Sequence, residues 1–221
     1  MRFAKVYCVS GIDTDIGKTI VTGLLARSFA GHSIKVITQK LVQTGCVGIS
    51  EDIVRHRQLM GIDLLSVDYK GFTCPYVFAR PCSPHLAASL EGRPIDRAVL
   101  RQSTAELLKH FDMVFLEGAG GLAVPLTEAY TLLDYLQEEK YPVILVTSSR
   151  LGSINHTLSA LELAHNRKIE VAAIIYNRLV ESDAAITNDS RQVFERYMKK
   201  YCFSGKIIDL PPLDLSLEVG Q

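Results

Sequence analysis

The run best suited to chemistry is Gly11-Ile12-Asp13-Thr14-Asp15-Ile16-Gly17-Lys18-Thr19. Glycine lets a backbone turn tightly and approach a bulky anion. Free amides at the start of a following helix, reinforced by its dipole, favour that anion. Lys18 can neutralise the charge of β- and γ-phosphates, and the Thr19 hydroxyl can ligate Mg²⁺. Together these residues form the pattern of a phosphate-binding P-loop. Five residues separate Gly11 from Gly17, one more than the usual GxxxxGK[ST] spacing.

A P-loop needs a carboxylate to complete a metal site, and two are candidates. Glu117 ends an apolar run, Val114-Phe115-Leu116, and is followed by Gly118-Ala119-Gly120-Gly121. Ionised carboxylates avoid dry interiors unless paired or bound to metal, so an acid there points to a cation or to solvent. Asp52 lies near the start of a helical stretch, where capping alone would explain it. Lys40 closes the second strand candidate. It would face the same phosphates as Lys18 if the two strands are neighbours, or is a solvent-exposed strand-end lysine. Histidines 32, 56, 85, 110, 156 and 165 show no metal-ligand spacing. No GxSxG or paired Cys/His arrangement suggests a nucleophile.

The elements that must position these residues alternate along the chain. Strands are predicted at Val6–Ser10, Ile34–Thr38, Met113–Glu117, Val143–Thr147, Val171–Tyr176 and Ile207–Leu210. Most are β-branched and continuously apolar, as in strands covered on both faces of a parallel sheet. Helices are predicted at Lys18–Ala30, Glu51–Met60, Ile95–His110, Leu132–Glu139, Ser153–His165 and Ala184–Tyr201, with Leu65–Ala79 left as loop and short helix. This alternation implies right-handed crossovers and an α/β, doubly wound, mostly parallel sheet of P-loop NTPase-like kind. Ligands of such sheets bind at the carboxyl ends of the strands.

Composition narrows the function classes. The 221 residues fit one domain spanning 1–221. Lysine plus arginine total 24, as do aspartate plus glutamate, so charge gives no case for a nucleic acid or an anionic membrane. The five cysteines are scattered, with no CxxC pair, which argues for reduced thiols in a cytoplasmic setting. The N-terminus lacks a signal-peptide pattern. No apolar run approaches the roughly 20 residues of a membrane span.

The chain also resembles the dethiobiotin synthetase family. The resemblance is carried by the lengthened P-loop, Lys40-Leu41-Val42-Gln43-Thr44-Gly45, Ser83-Pro84-His85, and Glu91-Gly92-Arg93-Pro94-Ile95. It continues through Glu117–Gly121 with Pro125-Leu126, Pro142–Val146, Leu151-Gly152-Ser153-Ile154-Asn155-His156-Thr157 and Asn177. It covers about residues 3–180 and, faintly, Leu210-Pro211-Pro212. The resemblance implies a homodimeric enzyme that uses MgATP and CO2 (or bicarbonate) to close a cyclic urea on 7,8-diaminononanoate.

By that resemblance Lys18 and Lys40 flank the transferring phosphoryl group, and Thr14 orients the phosphate or carbamate. Thr19, Asp52 and Glu117 hold Mg²⁺. Asp15, Ile16, Gly17, Ile20, Gly118, Ala119, Gly120, Asn177 and Pro211 join the nucleotide site, with Asn177 reading adenine. Thr44 contacts the diamine. Gly152, Ser153, Ile154 and Asn155 receive the substrate carboxylate from the neighbouring subunit, a task that helix-start amides suit; read without the family, Ser153 and Asn155 are N-cap residues. His85 and His156 are read as structural. Two positions depart from the family pattern: Leu41 stands where many members have proline, and Arg178 where an acid is common.

Two other readings are open to an extended P-loop. A glutamine-dependent amide ligase of cobyrinate type usually carries a glutaminase domain, for which 221 residues leave no room. A ParA/MinD-like partner-switching ATPase often has an additional lysine early in the loop, where this chain has Ile12 and Asp13.

Overall fold

The computed structural model describes residues 5–178 and 183–210. In chain order the elements are β1 (Val6–Gly11), α1 (Lys18–Ala30), β2 (Val36–Lys40), β3 (Gln43–Thr44), α2 (Glu51–Met60), α3 (Ser66–Tyr69), β4 (Val77–Phe78), α4 (Pro84–Leu90), α5 (Arg97–Leu107), β5 (Met113–Gly121), β6 (Pro125–Thr127), β7 (Tyr130–Thr131), α6 (Leu132–Glu139), β8 (Val143–Ser148), α7 (Ser153–Asn166), β9 (Val171–Asn177), α8 (Ala184–Lys200) and β10 (Lys206–Leu210).

Six strands form one sheet in the order β10-β9-β8-β1-β5-β2, and every pairing in it is parallel. Successive side chains of a strand point to opposite faces. Val9, Met113 and Phe115 accordingly join one apolar cluster with Val21 and Ala26 of α1. Cys8, Val114 and Leu116 join another with residues of α4 to α8. Both faces are covered, which is why the strands read as continuous apolar runs. The chain winds outward from β1 to β2 and later returns to the other side of β1. The crevice at the carboxyl end of β1 is therefore a topological switch point, and the P-loop occupies it.

Some element bounds differ from expectation. β2 runs from Val36 to Lys40 rather than from Ile34 to Thr38, because its ladder pairs Val36 with Met113 and Lys40 with Glu117. Pairing, not apolarity, carries Gln39 and Lys40 into the sheet. β5 continues past Glu117 to Gly121, and its register with β1 slips between Val9–Glu117 and Gly11–Gly121. The predicted 95–110 helix is shorter, opening at Asp96, whose carboxylate caps Ala98 N–H at 2.7 Å. The irregular 65–79 stretch contains α3 and β4. Among the described residues, no helix is long and apolar enough to cross a membrane.

Candidate active site

The P-loop connects β1 to α1, and α1 opens on Gly17, at φ 97°, without a side-chain cap. The first-turn amides of α1 are thus left for a ligand. The left-handed φ argues for glycine here, and a Cβ on Gly17 would lie 2.8 Å from Asn177 Nδ2, displacing that side chain. The Asn177 amide donates to the Ile16 carbonyl at 3.1 Å. On the opposite lip Asp13 accepts from Thr14 N–H at 2.7 Å and pairs with Arg150. The Thr14 amide and then Arg150 hold the Asp13 carboxyl below its usual range.

Strand parity and helix packing bring the remaining groups together. Lys40 and Glu117 are register partners on adjacent strands and project to one face. α1 and α2 pack so closely that a Cβ on Gly23 would fall 2.7 Å from Leu59. That approach sets Thr19 Oγ1 3.1 Å from Asp52 Oδ1, and the same hydroxyl lies 3.1 Å from Glu117 Oε1 on β5. Lys40 Nζ lies 2.6 Å from Asp52 Oδ2 and 2.7 Å from Glu117 Oε1. Ser50, not Asp52, caps α2, accepting from Ile53 N–H at 3.3 Å. The capping explanation of Asp52 therefore falls. Lys40 is 6% exposed and Glu117 1%, so the exposed strand-end explanations fall with it.

Burial alone would raise the Glu117 pKa, but Lys40 and the hydrogen bond from His56 outweigh it and hold the carboxyl at about 2. Burial alone would lower that of Lys40, but Glu117 and Asp52 overcome it and raise it. Lys18 is depressed, first by burial and then by Lys40; its Nζ donates to the Asp13 carbonyl at 2.7 Å.

A cavity of about 500 Å³ opens over this cluster. Thr14, Asp15, Gly17, Lys18, Thr19 and Ile20 line it from the P-loop and α1. Lys40, Thr44, Asp52, Glu117, Ala119 and Gly120 line it from the other side. Gly118 contributes its carbonyl, 3.5 Å from Lys40 Nζ. The Ile16 side chain is buried in the core. Gly152–Asn155 do not line the cavity. They open α7, with Gly152 at φ 91°, Ser153 Oγ 3.1 Å from Ser148 Oγ, and Asn155 exposed. Pro211 lies outside the described residues.

Sequence reasoning missed His56, whose Nε2 is 2.8 Å from Glu117 Oε2. Its signal was present: it follows Asp52 by four residues on one helix, and such residues share a face. The Asp13–Arg150 pair was missed too, because 137 residues separate its members.

The fold and this cluster define a P-loop nucleotide-binding domain of the α/β class. The model of a family described as an AAA domain matches residues 5–211. A protein of Chlorobaculum tepidum named ATP-dependent dethiobiotin synthetase BioD is 54% identical over 218 residues, covering 98% of this chain and 91% of the relative. ATP-dependent dethiobiotin synthetase BioD 2 of Pasteurella multocida is 52% identical, covering 90% and 93%. A BioD of Halalkalibacterium halodurans is 36% identical, covering 81% and 74%. The chain belongs to the ATP-dependent dethiobiotin synthetase family. These relatives do not favour the partner-switching alternative.

Proposed function

We propose that this chain carboxylates 7,8-diaminononanoate with CO2 and closes the cyclic urea at the expense of ATP, giving dethiobiotin, ADP and phosphate, as a cytoplasmic enzyme of biotin biosynthesis. It is an ATP-dependent ligase of the family just named. The observation that carries the reading is the convergence of Lys18, Lys40, Thr19, Asp52 and Glu117 on one cavity over the P-loop.

Phosphoryl transfer asks for positioning and charge neutralisation more than covalent help. One substrate amine takes up CO2 as a carbamate. A carbamate oxygen attacks the γ-phosphate and ADP leaves; the second amine then attacks the carbamic–phosphoric anhydride and expels phosphate. Lys18 and Lys40 stabilise the charge on the transferring oxygens, Thr14 orients them from the loop, and Thr44 positions the diamine. The P-loop amides hold the phosphates, with Asp15, Gly17, Ile20, Ala119 and Gly120 around them. Asn177 serves the adenine side.

The donor set fits Mg²⁺. Two carboxylate oxygens and a hydroxyl converge, and the Lys40 ammonium placed between Asp52 and Glu117 marks a position that demands a cation. Among the described residues no group of three or more His, Cys, Asp or Glu forms a ready metal cage. Mg²⁺ asks for none, since it is usually held by one or two carboxylates with phosphates and water. Thr19, Asp52 and Glu117 would hold it, and it would neutralise phosphate charge. The direct test is ATP turnover with 7,8-diaminononanoate and bicarbonate, with mass detection of dethiobiotin. ADP release without that product would sink the reading.

The substrate carboxylate lies far from its amines, and Gly152–Asn155 suit it as a second anion site supplied by the partner in a homodimer. Support comes from the exposure of Leu151, Gly152 and Asn155 at the start of α7, none of which lines the cavity over Lys18 and Glu117. Gly152→Pro is expected to raise the diamine KM strongly with ATP binding unchanged. Mixing inactive Lys18→Ala with inactive Gly152→Pro subunits should restore part of the activity. No recovery under proven subunit exchange would place the carboxylate within one chain.

A further inference from the structure

α2 sends two side chains into the carboxylate centre. Asp52 reaches Lys40 and Thr19, and His56, one turn on, reaches Glu117. His56 is fully buried, and its Nδ1 is buried without a hydrogen-bond partner. An ionised carboxylate only accepts hydrogen bonds, so His56 Nε2–H is the donor. A residue needed merely to fill this space could be apolar and leave no polar ring atom buried. His56 therefore bears on Glu117 rather than on packing alone.

The two oxygens of Glu117 have separate partners. Oε2 accepts from His56 at 2.8 Å. Oε1 faces Lys40 Nζ at 2.7 Å and Thr19 Oγ1 at 3.1 Å. The terminal torsion of a glutamate is broad and roughly two-fold, so nothing intrinsic to Glu117 selects this division. Lys40 alone would permit the carboxylate to rotate and offer it both oxygens.

We propose that His56 is a positioning residue for Glu117. It ties down Oε2 and presents Oε1 alone to the point where Thr19 Oγ1 and Asp52 Oδ1 converge. The inference rests on the reading of Glu117 as a ligand of the divalent cation. A single oxygen suits the strict octahedron of Mg²⁺. Groups that orient a ligand commonly matter 10- to 100-fold in metal affinity.

The test uses Mn²⁺ as a spectroscopic probe, titrated into the full chain with ADP present and followed by electron paramagnetic resonance. His56→Met removes the donor and keeps an apolar side chain. His56→Gln keeps an N–H donor of similar reach. ADP affinity in EDTA, expected unchanged, reports an intact P-loop in both variants. Mn²⁺ affinity should fall about 10- to 100-fold in His56→Met and recover most of the way in His56→Gln. Wild-type affinity in His56→Met overturns the proposal. So does a folded His56→Gln as weak as His56→Met. If His56→Met does not fold, His56→Gln decides: near-wild-type affinity supports the proposal, and a tenfold or greater loss overturns it. Glu117→Gln separates the two layers. Should it weaken Mn²⁺ binding while His56→Met does not, only the positioning role fails. Should it too leave Mn²⁺ binding intact, the metal-ligand reading itself fails.

Discussion

Adjacent residues of α2 lead into two ionic clusters of different character. Arg57 pairs with Asp68 through two hydrogen bonds, at 3.0 and 2.8 Å, and also donates to Thr38 at 2.8 Å. Asp68 takes two further donors, Leu65 N–H and Thr73 Oγ1, at 2.7 Å each. Its carboxyl is held below its usual range: burial opposes this, and Arg57 outweighs burial. Each charge has partners within the protein, and neither residue lines the cavity over the P-loop. The His56 side is open. Lys40, Asp52, Glu117 and Thr19 hold one another in place but face about 500 Å³ of space. A closed cluster ties α2, α3 and β2 into one body; an open one can exchange an internal cation for a ligand.

The comparison predicts loss of activity on one side and loss of stability on the other. The largest effect belongs to Lys18→Ala, which should lower kcat about 10³-fold while moving the thermal midpoint by only a few degrees. Near-normal turnover in a folded variant would remove Lys18 from the chemistry. Arg57→Ala should do the reverse. It strands the buried Asp68 charge and should cost about 3–5 kcal/mol of stability in urea unfolding, with kcat per folded molecule within about threefold. A stability loss below about 1 kcal/mol would mean that the cluster is not structural.

Glu117→Gln tests the open side more gently. An amide is a poorer ligand for a hard cation, so the Mg²⁺ concentration giving half-maximal rate should rise on the order of 100-fold, no less than the loss expected when only its orienting donor is removed. An unchanged Mg²⁺ dependence would exclude Glu117 as a ligand.

The smallest effect is in acid. Glu117 is lowered from 4.5 to about 2, so its contribution is fully present above pH 4.5 and is lost as pH falls through about 2. Stability should drop by about 1–2 kcal/mol between pH 7 and pH 3 on this account. The drop should be shallower in Glu117→Gln, and equal slopes would show that other carboxylates dominate.

Sequence by itself determined the parallel α/β class and the P-loop with Lys18 and Thr19, and it nominated Lys40, Asp52 and Glu117 without deciding between a site and a bland role. These are local facts: apolar runs report burial on both faces of a strand, and a glycine-lysine-threonine turn between strand and helix reports a phosphate site. The sequence also held Asp52 and His56 one turn apart, but spacing alone could not say what that face meets. Tertiary structure decided the rest. Strand register set Lys40 beside Glu117, and the close approach of α1 and α2 at Gly23 brought Thr19 to Asp52. It also turned His56 onto Glu117 across 61 residues. Contacts of that separation depend on which strands are neighbours and on how closely helices pack, and no local pattern encodes either.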